Sequence, residues 1–394
     1  VTLSPSVDFG PLDRDRELLA AGDVVAQSFA LAPAEGPAWL EKSGLSHVRV
    51  LRERGEVAAT LLYVHMGQWF GGRRVPTTGI AGVGVAPAHR GRGAATRLMQ
   101  AGLRELHARG VPLATLYPAT QPLYRRVGFE VAGSRFEVRV PGSALALRER
   151  ALTLRPIAPA DALAVQAAYR RHAQLRPGLL DRGDYVWNRV LHPRGETAYG
   201  YLVEDGSQVE GYLYLTRRRQ ADLTQELALP DLVALTPRAA RRLLSFLGDH
   251  RSLARDVVWH AGPQDPMLLL LEEQSLQVKL VFQWMVRLLD VPAALVARGY
   301  PAAARASLHL EVEDALLPHN SGRFLLEVED GTARVRPGGE GRLRLDVRAL
   351  APLYTGHLSP AALQAVGALE ADEGSLAQAT ALFAGPAPTM TDMF

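Results

Sequence analysis

The 394-residue chain is predicted to be a mixed α/β (α+β) protein of three consecutive units, and three observations carry that prediction. A β-branched run, Val83-Gly-Val85, meets a glycine-rich basic loop, Pro87-Ala-His-Arg-Gly-Arg-Gly93, which opens into a helical pattern from Ala94 to Ala108. Strand, turn and helix return in that order at Leu232-Val-Ala-Leu-Thr-Pro-Arg-Ala-Ala-Arg-Arg-Leu-Leu244, now without any glycine. From near Leu288 the chain reads as strands followed by helices, the pattern of an α+β domain.

The first unit is expected over residues 1–150. Phe9 to Leu31 reads as mostly helical, with Leu12, Leu18, Leu19, Val24, Val25 and Phe29 on its apolar side. Strands are expected at residues 48–51, 56–66 and 73–80, with Gly71-Gly72 as a hairpin turn. The loop that follows is a candidate anion site. A glycine-rich turn between strand and helix aims several backbone N–H groups into one space, and the helix dipole adds positive potential there. Arg90 and Arg92 add full charges. The loop lacks the Lys-Ser/Thr pair of a P-loop and the third glycine of a dinucleotide fingerprint. Val111 to Pro118 reads as a strand. Gln121-Pro-Leu-Tyr-Arg-Arg-Val-Gly-Phe129 reads as a short helix closed by Gly128, and residues 136–140 as a closing strand.

The second unit is expected over residues 151–287. Residues 161–171 read as a helix, and residues 198–203 and 210–215 as strands. It keeps the strand and helix of the repeat but loses the phosphate-binding groups, so it is expected to be degenerate and structural. The third unit, 288–394, is expected to carry strands at 306–312, 322–328, 333–337 and 340–346. Helices follow at 347–354, 360–369 and 374–383.

The loop fits R-x-x-G-x-A, from Arg90 through Gly93 to Ala95, and Leu123, Tyr124, Gly128 and Phe129 fit L-Y-x-x-x-G-F. Together, in this order, they resemble the Gcn5-related N-acetyltransferases. Residues 345–354 and the closing Leu382-Phe-Ala384 resemble the sterol-carrier-protein fold. An active acetyltransferase fold, a degenerate one and a sterol-carrier-like domain in tandem resemble the enhanced-intracellular-survival (Eis) family of aminoglycoside N-acetyltransferases. That resemblance is sharp at residues 79–85, the phosphate loop, Leu116-Tyr-Pro118 with Tyr124, and the terminal aromatic.

The resemblance implies acetyl-CoA as acetyl donor. Its pantetheine arm would lie along Val83, Gly84 and Val85, and its pyrophosphate on Arg90, Gly91, Arg92, Gly93, Ala94 and Ala95. It implies that Tyr124 protonates the departing thiolate, and that the α-carboxylate of Phe394 takes the proton of the attacking amine. Each role makes chemical sense: an ammonium cannot attack a thioester, so a carboxylate or water must take its proton, and a thiolate leaves more easily with a proton supplied. Phe29, Trp39, Phe70 and the Asp392 side chain are candidates for lining the amine pocket. Met393 stands where some family members carry an acidic residue. His89 is expected to face solvent. The family tends toward homo-hexamers.

Composition bounds these expectations. Cysteine is absent, which excludes disulfides, thiolate metal sites and a cysteine nucleophile, so acetyl transfer is expected to be direct. No metal site is expected. A net charge of +3, from 44 basic and 41 acidic residues, is too balanced to argue for nucleic acid. No apolar run is long enough to span a membrane and no signal peptide is evident, so a cytoplasmic protein is expected. The partner is expected to be a small-molecule amine. The alternatives are a lysine or peptide N-acetyltransferase, or a non-catalytic acyl-CoA or lipid binder.

Overall fold

The computed structural model describes residues 7–193 and 196–394. The N-terminal stretch opens with strand β1 (Val7–Pro11), then helices α1 (Arg14–Phe29) and α2 (Glu35–Ser43). Strands β2 (Val48–Glu53), β3 (Glu56–Phe70) and β4 (Arg73–Val85) form an antiparallel meander. Helix α3 (Ala94–Ala108), strand β5 (Leu113–Leu116), helix α4 (Gln121–Arg125) and strand β6 (Glu130–Pro141) complete this part. The expectation of helix from Phe9 is corrected. Residues Val7–Pro11 pair with β2, Pro11 breaks the run, and Asp13 caps α1 by accepting from the Asp15 N–H. Leu19 faces solvent, while Ala21, Val24 and Val25 form the buried side of α1.

The middle stretch holds β7 (Thr153–Pro156), α5 (Ala162–Gln174), β8 (Leu180–Asp181), α6 (Asp184–Leu191), β9 (Tyr199–Asp205) and β10 (Gln208–Arg219). It continues with β11 (Gln225–Ala234), α7 (Pro237–Gly248), β12 (Ala254–Ala261) and β13 (Gln277–Leu288). The last stretch holds α8 (Val291–Ala297), β14 (Ala306–Glu313), β15 (Gly322–Glu329), β16 (Thr332–Pro337) and β17 (Leu343–Asp346). Then come α9 (Val347–Thr355), α10 (Pro360–Ala365), β18 (Leu369–Ala371) and α11 (Glu373–Phe383).

One continuous sheet joins the first two units, in the order β1-β2-β3-β4-β5-β13-β6-β12-β11-β10-β9-β7. Strand β13 belongs by sequence to the second repeat, yet it lies between β5 and β6 of the first. Met285 sits opposite Leu116 on one side and Trp284 opposite Gly133 on the other. The fit at Gly133 is tight: a methyl group there would lie 2.1 Å from the Trp284 ring. The far edge of β6 pairs with β12. Each repeat thus completes its sheet with a strand from the other.

The third unit forms its own five-stranded sheet, β16-β15-β14-β17-β18. It is bolted to the exchanged strand. Arg287 of β13 is fully buried and pairs with Asp314 at 2.6 Å. Helix α9 packs on β6 and β13, with the Thr355 hydroxyl donating to the Ala132 carbonyl at 2.8 Å.

The two faces of the main sheet carry different cores. Leu62, Val64 and Met66 of β3 pack with α1, α2 and the third unit, whereas Leu61 and Tyr63 pack with α3 and α4. This is the two-residue alternation of a strand buried on both sides. No helix among the described residues is long and apolar enough to cross a membrane, and none of their acidic and histidine side chains cluster as a metal site.

Two histidines of the middle stretch make stability depend on pH. Burial pushes His172 and His260 from near 6.5 down to about 3. Between those values the unfolded chain binds protons that the folded chain refuses. Their contribution is therefore complete above about pH 6.5 and is lost as pH falls through the window, by about 1.4 kcal/mol per unit for each ring. Denaturant unfolding at pH 7 and pH 5 should show a drop of about 2 kcal/mol per ring. His260→Asn should flatten that dependence.

Candidate active site

The site is built where β4 and β5 part. They pair in parallel only over Thr77–Gly79 with Leu113–Thr115. Beyond Gly79, β4 runs on to Val85 with a strand partner on its β3 side alone. Its other edge offers free backbone donors and acceptors, the arrangement that receives an extended arm as an added strand. Gly82, at φ +58°, introduces a bulge that flips the alternation within this edge. Val83 and Val85 therefore face the α3 side, while Gly84 lies against Ser28 and Val24 of α1.

The loop after β4 has the build of an anion cradle. Gly91 (φ +73°) and Gly93 (φ +78°) are both left-handed, a conformation that suits glycine. A side chain at Gly91 would meet nothing, so the space above the loop is open. Gly93 is the N-cap of α3 and supplies no side-chain cap, so the first N–H groups of that helix stay free for a ligand. Arg90 and Arg92 are exposed beside them. Below, Glu53 binds both His89, at 2.9 Å, and Arg97, which in turn donates to the Arg92 carbonyl. The expectation of a solvent-facing His89 is thus corrected: its ring is largely buried and braces the loop.

Tyr124 approaches from the α3 face. Its ring packs edge-on against Phe129, and its hydroxyl has no hydrogen-bond partner among the described residues, yet is not sealed off. Burial pushes its pKa up to about 12. At neutral pH it is a fully protonated donor.

The chain end approaches from the opposite face. The Phe394 ring lies over Gly79, where an added methyl group would be 2.7 Å from the ring edge, and beside Met66 and Tyr117. Gly79 is the last β4 residue paired to β5. The terminal residue therefore sits at the apex of the splay.

A dense set of contacts places it there. The Thr389 N–H donates to Pro177 O, and its hydroxyl to Ser134 O at 2.8 Å. The Tyr117 hydroxyl faces Met390 O at 2.8 Å and Asp392 O at 2.9 Å. Arg135 donates to Thr391 O, and Arg189 to Met393 O at 2.7 Å. Asp392 is buried against Arg182, at 2.9 Å, and Tyr169. Arg182 also holds Asp231 at 2.6 Å and lies over the Tyr169 ring, 3.6 Å from its centre. Burial opposes the Arg182 charge, but the Asp231 and Asp392 carboxylates outweigh it and keep the guanidinium ionised.

Two sequence-predicted pocket residues are thereby corrected. Phe70 is fully buried, edge-on to Tyr354 of the third unit, and cannot line an open pocket. The Asp392 carboxylate is consumed by Arg182 and anchors the tail. Trp39 reaches the bulge, with its ring edge 2.9 Å from where a Gly82 side chain would begin, and half-exposed Phe29 ends α1 next to Ser28. The tail-holding residues Tyr117, Arg135, Arg182, Arg189 and Thr389 had no role assigned from sequence. Tyr117 and Arg135 lie in the first repeat, Arg182 and Arg189 in the second and Thr389 in the tail itself, so they meet only in the folded molecule.

An open strand edge, an uncapped glycine loop and a lone tyrosine define a Gcn5-related acyltransferase site. Residues 14–132 and 178–288 each match the acetyltransferase (GNAT) domain, and residues 291–391 match the sterol carrier protein domain. The chain is 34% identical to an uncharacterised N-acetyltransferase of Streptomyces griseus, covering 82% of this chain and 83% of that one. It is 30% identical to the N-acetyltransferase Eis of Mycobacterium tuberculosis, covering 93% and 94%. The crystal structure of a GCN5-related N-acetyltransferase from Anabaena variabilis superposes with a TM-score of 0.94 at 37% identity, covering 98% and 100%. The chain belongs to the Eis family of N-acetyltransferases and is an acetyltransferase enzyme rather than a passive binder.

Gly79→Val should push the Phe394 ring off its seat without unfolding the sheet. Misplacing a reacting group by about 1 Å costs on the order of 10²-fold, so under the role proposed below for Phe394 steady-state turnover should fall by about that factor in a variant that still folds. Gly93→Asp should place a charge in the loop and abolish coenzyme A binding by calorimetry. The wild type should show one site per chain, since Pro237–Arg242 of the second repeat has no glycine.

Proposed function

We propose that this enzyme transfers the acetyl group of acetyl-CoA directly to an amine of a polyamine-like small molecule, aminoglycosides included. The observation that carries this reading is that Tyr124 packs in the apolar cluster on the α3 face of the sheet, with Ile80 and Val83 of β4, while the Phe394 ring lies over Gly79 with the cluster of the opposite face. Donor and acceptor can then meet through the gap between the strands, with the leaving sulfur toward Tyr124 and the amine toward the chain end.

Each residue then has a task. The Phe394 α-carboxylate, with an ordinary pKa of roughly 3.3–3.7, is ionised at neutral pH and removes a proton from the ammonium. The freed nitrogen attacks the thioester carbonyl, the carbon–sulfur bond breaks, and the nitrogen sheds its second proton to solvent to leave the neutral amide, while the carboxylate releases its proton to solvent before the next turnover. Tyr124 donates its proton to the sulfur and recovers one from solvent. Residues 83–85 and 90–95 hold the donor and contribute by positioning, and a strand N–H of β4 can stabilise the developing oxyanion.

The acceptor class rests on the chain end. Because Asp392 is paired with Arg182, we assign the reacting ammonium of the acceptor to the terminal carboxylate. A lysine side chain in a peptide is the competing acceptor, and steady-state assays of aminoglycosides, polyamines and lysine peptides separate the two. Turnover on peptide alone would defeat the small-molecule reading.

Tyr124→Phe should keep coenzyme A affinity and lower turnover by about 10²–10⁴-fold, the span of general-acid loss. Appending residues after Phe394 turns its carboxylate into an amide, and should cripple turnover in an otherwise folded, coenzyme-binding protein. A C-terminally extended enzyme as fast as the native one would remove the carboxylate from the chemistry.

A further inference from the structure

The second repeat has kept a cleft where its cofactor site would have been. Strands β11 and β12 pair in parallel only over Gln225–Leu229 with Ala254–Trp259. They part at Pro230, which has no N–H to continue the ladder, much as β4 and β5 part after Gly79. A cavity of about 640 Å³ fills the gap, within the usual range of small-molecule sites.

Its chemistry is unlike that of the first cleft. Helix α7 begins with Pro237, and the Thr236 hydroxyl accepts from the Ala239 N–H. The helix start is capped, no glycine loop precedes it, and no phosphate cradle remains. The walls are apolar, with Leu229, Leu232, Leu235, Trp259, Met267 and Leu270 among them.

Arg176 and His172 on the wall have hydrogen-bonding capacity left over. Arg176 makes no ion pair among the described residues, and its one side-chain hydrogen bond goes to the His172 carbonyl at 3.2 Å. The His172 Nδ1 is buried and has no hydrogen-bond partner among the described residues. The carboxylates on the same wall are already committed. Asp231 binds Arg182 and Tyr212. Asp265 accepts from the Trp259 indole at 2.7 Å and from the Met267 N–H. A guanidinium with spare donors beside an apolar chamber selects an anion with an apolar body.

We infer that this cavity is a second ligand site, which binds an amphipathic carboxylate such as a medium-chain fatty acid, with the carboxylate on Arg176 and the chain among the leucines. Pro386, Ala387, Thr389 and Thr391 of the tail form one wall, so the ligand lies against the segment that leads to Phe394. The site is independent of which amine the first cleft acetylates.

The test is calorimetry of the full chain with acetyl-CoA saturating, so that the first cleft is occupied. Decanoate, decanol and decylamine are titrated separately. Decanoate should bind once per chain, at least tenfold tighter than decanol, and decylamine not at all. Arg176→Gln should weaken decanoate by tenfold or more and leave decanol unchanged, since a hydrogen bond to a charged group has been lost. Ala240→Phe should fill the cavity and remove both. Should that variant fail to fold, Arg176→Gln decides alone. Decanoate binding no tighter than decanol, equal binding by Arg176→Gln, or no binding at all would overturn the assignment.

Discussion

Strand β13 between β5 and β6 is the constraint on which the rest of the molecule depends. Without it β5 and β6 would each be left with an unpaired strand edge and the aggregation hazard that brings, and only the pairing of β6 with β12 would join the repeats. With it they share one sheet. The same strand carries Arg287 into its buried pair with Asp314, so the third unit is fixed to the first through a residue of the second. Breaking one partner of such a pair leaves a buried charge uncompensated, which typically costs about 3–5 kcal/mol.

That fusion gives the chain end an address. The tail runs between the repeats and is held by residues of both: Tyr117, Ser134 and Arg135 on one side, Pro177, Arg182 and Arg189 on the other. A terminus is normally the least ordered part of a domain. Here Met390 is fully buried and Asp392 sits in a charge network. The loss of conformational entropy is offset by many hydrogen bonds made in a low-dielectric environment. The result is that the position of Phe394 is set by the whole fold rather than by a local element.

The degenerate repeat gains a clearer purpose in this light. It supplies the exchanged strand and the Arg182 anchor, and its own cleft remains open beside the tail. The repeat lacks the glycine loop but keeps the splay, because the splay follows from strand pairing and twist rather than from the loop.

Local patterns were legible in the sequence. The β4 segment, the glycine loop, α3 to the residue, Tyr124 on its short helix and most elements of the third unit follow from periodicity, caps and turn chemistry, all short-range in the chain, whereas α8 was not expected and the helix expected over 360–369 stops at Ala365 before strand β18. Asp392 and Phe70 were misjudged because burial and ion pairing are set by distant partners: Arg182 lies 210 residues away from Asp392, and Tyr354 comes from another unit. The residues that hold the tail, the exchange of β13, and the approach of Tyr124 and Phe394 from opposite faces were decided by the tertiary structure alone. A strand's pattern shows that it will be buried, but which strand it lies beside is settled only when the competing edges are present together in space.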